Sequence, residues 1–115
     1  MNEDREWWAG QRRLAENTIT RFEQQQISLK GLVDDLLFFS DAFAERGTES
    51  MDSFSSQLPV PARQWLEMFQ SAALGVEVIF SVADHAEQEH LSGEDAASVD
   101  EEVTILKNLI SALPG

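Results

Sequence analysis

The chain has no cysteine, no tyrosine and few basic residues, eight against 21 acidic ones. Without cysteine there is no disulfide framework, no thiolate metal site and no need for an oxidising compartment, so a reducing cytoplasm is the expected location. The start, Met1-Asn2-Glu3-Asp4-Arg5-Glu6, lacks the basic end and apolar stretch of a signal peptide. A bilayer crossing takes about 20 consecutive apolar residues. The longest apolar run, residues 72 to 83, is shorter and carries Glu77, so it is assigned to a core.

Catalytic signatures are missing as well. No serine lies in a Gly-x-Ser-x-Gly turn, there is no glycine-rich phosphate loop, and no thiol or phenol is available as a nucleophile. Carboxylates are abundant, yet acid/base catalysis needs a concave site that separates their pKa values, whereas here they are spread over helix surfaces. Glu87 and His90 form one Glu-x-x-His pair, but His85 has no glutamate three positions before it, and di-iron bundles need two such pairs. Neither an enzyme nor a metal or other cofactor is expected.

The shortage of cations leaves a formal net charge of −13, unevenly spread. Residues 1–30 hold five acids and five bases, and the rest of the chain holds 16 acids and three bases. Such a field repels phosphate backbones and anionic membranes and speeds encounter with a basic protein. Direct nucleic-acid or membrane binding is therefore not expected.

An apolar share of 43% with 25% charged residues is a globular balance, and 115 residues suffice for one core. The expectation is a single acidic helical domain, 1–115. No stretch alternates with period two, and Gly, Pro and Ser clusters divide the chain into four segments of helical spacing. The first, residues 4–26, has Trp8, Ala15, Ile19 and Phe22 in one stripe. Trp7 points about 100° away from Trp8, either capping the bundle's end or serving as a second anchor. Ser28 reads as the N-cap of a second helix from Leu29 to about Glu45, with Leu29, Leu32, Val33, Leu36, Ser40 and Phe43 inward and Gly47 as the stop. Residues 47–60 read as a loop with room for a helical turn at Met51–Phe54.

Pro61 suits the first position of a third helix reaching about Glu89. Its main stripe contains Trp65, Phe69, Ala72, Ala73, Val76, Ile79, Phe80 and Ala83, while Leu74 and Val78 point nearly opposite. That girdle predicts a central helix buried on several sides, with close packing at Gly75 and Glu77 paired to an arginine of the first helix. Ser98 and Glu101 have capping-box spacing ahead of a fourth helix, whose stripe is Val99, Val103, Leu106, Ile110 and Leu113. The fold class is all-α, a bundle of about four helices.

One face stands out. Opposite Leu36 on the second helix lie Asp34, Phe38, Asp41 and Glu45, an aromatic among three acids. A solvated face needs no phenylalanine, whereas an apolar anchor ringed by charge selects a basic partner. The alternative is that Phe38 packs on the loop, on the first helix or in a homodimer. Glu49 and Asp52 in the loop and Glu67 on the third helix extend this face into an acidic patch.

The run Ile27-Ser28-Leu29-Lys30-Gly31-Leu32-Val33-Asp34-Asp35-Leu36-Leu37, a loop, an aromatic-rich long helix with an internal glutamate, and a last helix ending in Ile110 and Leu113 resemble small α-helical immunity proteins of bacterial contact-dependent inhibition and other polymorphic toxin systems. The likeness spans roughly residues 15–113 and departs from the pattern in the Ser-rich stretch 50–57 and in Gly75. It implies stoichiometric neutralisation of a cognate toxin domain, many of which are nucleases with basic clefts. An acidic cytoplasmic chaperone or adaptor is the alternative.

Overall fold

The structure, a computed structural model, describes residues 3–85 and 93–115, with side-chain environments for 3–82 and 93–115. The elements are α1 (Glu3–Glu23), α2 (Leu29–Arg46), a 3-10 helix η1 (Thr48–Gln57), α3 (Ala62–His85) and α4 (Gly93–Ser111). No strand occurs among the described residues. Helices neighbouring in sequence run side by side, as do α1 and α4, while the backbones of the diagonal pairs α1/α3 and α2/α4 stay apart, Trp8 and Trp65 meeting across the core with ring centroids 5.9 Å apart.

Cross-helix contacts fix the directions. Arg46 reaches Asp4 at 2.7 Å and the Thr18 hydroxyl donates to Asp35 at 3.1 Å, so α1 and α2 are antiparallel. The Trp65 indole of α3 donates to the Leu109 carbonyl of α4 at 2.9 Å, and Gly75 lies beside Glu102, again antiparallel. Arg12 donates to the Leu113 carbonyl at 2.7 Å and Lys107 meets Glu23 at 3.1 Å, which closes the ring between α4 and α1. The result is an up-down-up-down four-helix bundle with η1 across one end.

Local chemistry sets the helix ends. The Gly31 amide donates to the Ser28 hydroxyl at 3.1 Å, capping α2 as its sequence requires. Gly47 ends that helix with φ 85°, ψ 151°, a region essentially open only to glycine. Gln25, at φ 62°, ends α1 in a Schellman arrangement: the Gln26 amide donates to the Arg21 carbonyl at 2.7 Å and the Gln25 amide to the Phe22 carbonyl at 3.0 Å. At the end of α4, where helix carbonyls lack partners, Trp65 and Arg12 supply donors.

Each helix buries most of the stripe its spacing dictates, Phe22, Leu29, Ile79 and Phe80 only in part, and the aromatic residues gather at the η1 end. Trp8, Phe43, Trp65, Phe69 and Phe54 are fully buried and meet edge-to-face or tilted, except that Trp65 and Phe69 stack, with Phe43 5.0 Å from Phe69 and Trp8 4.8 Å from Phe43. Trp8 is satisfied by the Ser50 hydroxyl at 2.8 Å. Trp7 covers the bundle's end, half-buried against Trp8 and Phe43, with the Arg46 guanidinium 5.0 Å over its ring.

Four expectations are corrected. Residues 48–57 are a ten-residue 3-10 helix, not a loop: the Ser50 and Ser55 hydroxyls bond the Gly47 and Asp52 carbonyls, and Met51 and Phe54, three apart, fall on one side and are buried. α4 starts at Gly93, so Ser98 lies inside the helix and caps nothing; Glu94 and Asp95 in the first turn favour the earlier start. α3 packs on α2, α4 and η1 and meets Trp8 of α1 through Trp65, but it is not enclosed all round, because Leu74, Val78 and Val82 on its far side are exposed. Glu77 forms no ion pair with an α1 arginine among the described residues, since α1 lies across the bundle's diagonal. The expected α3 end near Glu89 and the Glu87/His90 pair lie outside the described residues.

Candidate functional site

Four of the seven acidic-patch residues sit on α2, whose 18-residue length is fixed between Ser28 and Gly47. With Leu32, Val33, Leu36, Phe39, Ser40 and Phe43 buried, the 3.6-residue period turns Asp34, Phe38, Asp41 and Glu45 to solvent. Their spacing of four, three and four residues makes one stripe about 16 Å long at 1.5 Å per residue. Phe38 is 66% exposed, more than any other large apolar residue described, and its ring meets that of Phe39 edge-on, 6.0 Å between centroids.

The charges around it are mostly uncompensated. Asp34 lies 3.9 Å from Lys30 on the same helix, an exposed pair of little strength. Asp41 and Glu45 form no ion pair among the described residues. Glu45 borders a depression shared with Trp7, Ala42 and Arg46, where Arg46 is already engaged by Asp4 and by the Trp7 ring.

Glu49 and Asp52 are exposed on η1, three apart and therefore on one side of it, away from buried Met51 and Phe54. Glu67 is exposed on α3 and borders a depression with Ala44, Gly47, Thr48 and Gln70, beside the junction of α2 and η1. It pairs at 3.6 Å with Arg63, so its contribution to the field is partly neutralised. The structure thus collects the α2 stripe into one face, places Glu49 and Asp52 on the element that continues from its end, and sets Glu67 beside that junction.

Among the described residues no group of three or more metal-ligating side chains comes together. A hollow between α1 and α4 is lined by Glu16, Ile19, Thr20, Glu23, Lys107, Asn108, Ile110 and Ser111, with Lys107 held by Glu23.

A second apolar surface escaped the sequence reading. Leu74, Val78 and Val82 of α3 are 53%, 59% and 60% exposed, with Met68 and Ile105 partly exposed beside them. Their i, i+4, i+8 spacing was visible, but it identifies a stripe and not whether a neighbour covers it. Residues Ala62–Val82 are also long and apolar enough by composition to cross a bilayer, yet Trp65, Phe69, Ala72, Ala73 and Val76 form the bundle core.

No protein-family model, curated protein or solved structure matches the chain, so its surfaces are interpreted from their own chemistry.

Proposed function

We propose that this chain is an immunity protein: a stoichiometric inhibitor that binds a basic toxin domain through the outward face of α2 and so neutralises it. The observation that carries this reading is Phe38, two-thirds exposed between Asp34, Asp41 and Glu45. An exposed phenylalanine adds nothing to the fold, but it anchors an interface once a partner surrounds it. The charge of −13 accelerates encounter with a cationic surface, and removal of the ring from water slows dissociation. Inhibition then needs no catalytic group or cofactor in this chain, only that the bound face obstruct the toxin's working surface. The rigid four-helix scaffold presents the stripe with little ordering cost on binding.

The test is affinity capture from the source cell's lysate on the immobilised protein with elution at rising salt, in parallel with a Phe38→Asp/Asp41→Lys variant. Capture of a basic domain, rescue of cells that express it, and loss of both in the variant are expected. Phe38→Asp alone should weaken binding by roughly 30-fold or more, the scale of an interface hot spot. A toxin held equally by the variant would move the contact off α2. Recovery of unfolded clients only, or of nothing, would replace neutralisation with chaperone or adaptor activity.

A further inference from the structure

Along α2, Phe38, Ala42 and Arg46 stand four residues apart in one line, and Glu45 stands one turn beyond Ala42 on its acidic side. Ala42 is the smallest side chain of that line, so a depression opens over it, walled by Glu45, Arg46 and Trp7 of α1. Two ionisable groups line it, and they are not equivalent. The Arg46 guanidinium is answered by Asp4 at 2.7 Å and lies 5.0 Å over the Trp7 ring. Glu45 forms no ion pair among the described residues, although Arg46 follows it in sequence. Lys30, the other cation of α2, lies about 22 Å away along the helix. The depression therefore sets one uncompensated carboxylate beside the apolar surfaces of Ala42 and the Trp7 indole, in a molecule of net charge −13.

We propose that this depression receives an arginine side chain of the protein partner, its guanidinium on Glu45 and its aliphatic stem across Ala42 and the Trp7 ring. The proposal rests on the reading of the α2 face as the contact surface, and it adds a second anchor about 10 Å along the helix from Phe38. Charge selects the occupant. An anion is repelled by Glu45 and by the field of the whole chain, and a neutral apolar side chain would bury Glu45 without a partner, which is costly. A cation supplies what the carboxylate lacks. Among cations, the planar guanidinium offers two parallel N–H donors to the two carboxylate oxygens, and it is weakly enough hydrated to lie against an indole, as Arg46 already does. A lysine ammonium is a strongly hydrated point charge and uses only the carboxylate. The partner is thereby specified beyond a generally basic surface: it carries an arginine about 10 Å from the apolar site that encloses Phe38.

Titration of the isotope-labelled full chain with N-acetyl-arginine amide, followed at the indole N–H resonances of Trp7, Trp8 and Trp65, tests this without the partner. A saturable shift confined to the Trp7 signal is expected, with a dissociation constant on the order of 10 mM, and N-acetyl-lysine amide should bind several-fold more weakly. Glu45→Gln should abolish the response, and so should Ala42→Leu, which fills the depression. Glu101→Gln, exposed on α4, removes the same charge and should leave it intact. If Ala42→Leu unsettles the end of the bundle, the exposed Glu45→Gln decides. No saturable shift, a shift that survives Glu45→Gln, or equal binding of the lysine amide overturns the proposal. Against a captured toxin domain, Glu45→Gln should weaken binding about tenfold or more. Capture lost in Phe38→Asp but unchanged in Glu45→Gln overturns the arginine contact and leaves the α2 reading standing. A Trp7 response to the arginine amide with no toxin captured supports the chemistry of the depression and removes the neutralisation reading instead.

Discussion

On α2, Phe43 and Phe38 lie five residues apart and live in opposite environments. Phe43 is fully enclosed by Trp7, Trp8, Phe39, Trp65 and Phe69, whereas Phe38 shows two-thirds of its surface to water and meets only Phe39. On α3 the same division separates buried Phe69 from exposed Leu74. The inward sides hold the bundle together through apolar burial, whereas the outward apolar residues remain in water. The two outward sides differ in turn: acids surround the apolar residue on α2 and are absent from the stripe on α3.

The sharpest way to break this contrast is to truncate the inward ring. Phe43→Ala should cost about 3–5 kcal/mol, because it opens a cavity amid five aromatic neighbours that cannot collapse into it; denaturant melts of the variant measure this directly. Ser50→Ala should cost about 1–3 kcal/mol by leaving the buried Trp8 indole N–H without an acceptor, and a Trp8→Phe/Ser50→Ala double variant should recover part of that loss. Gln25→Gly should raise stability by up to about 1 kcal/mol, since a left-handed backbone strains any residue with a Cβ; a lower melting midpoint would contradict the role assigned to φ 62°. At the small end, Phe38→Ser should shift stability by no more than about 0.5 kcal/mol while removing toxin capture. A large loss of stability there would mean that Phe38 belongs to the fold.

The inward residues were legible because helical spacing repeats in the sequence itself. Trp8, Ala15 and Ile19 on α1, Leu32, Leu36 and Phe43 on α2, Trp65, Phe69 and Val76 on α3, and Val99, Val103, Leu106 and Ile110 on α4 are buried as the 3.6-residue period requires. The Ser28 cap and the Gly47 stop were legible for the same reason, each depending on a residue's own chemistry and its neighbours within one turn. η1 was not, because its Ser, Asp and Thr residues support turns and short helices alike, and burial of Met51 and Phe54 against α1 and α3 tips the balance. The start of α4 was misplaced because two acid-rich N-termini compete over 93–101, and the capping box, although present in sequence, lost to a helix that begins one turn and more earlier.

For the surface faces, sequence fixes only which residues share a side. That Asp34, Phe38, Asp41 and Glu45 form one stripe, and that Leu74 and Val78 form another, follows from helix geometry alone. Whether each stripe meets water depends on how many neighbours surround its helix. In a ring of four, each helix runs beside two others and leaves one side open, which exposes the α2 stripe and also uncovers an apolar stripe on α3 that looked destined for burial. Composition and period therefore determined the all-α class, the core residues and the acidic balance; tertiary packing alone decided that one side of α3 stays open to water, because burial is a property of neighbours and not of the residue.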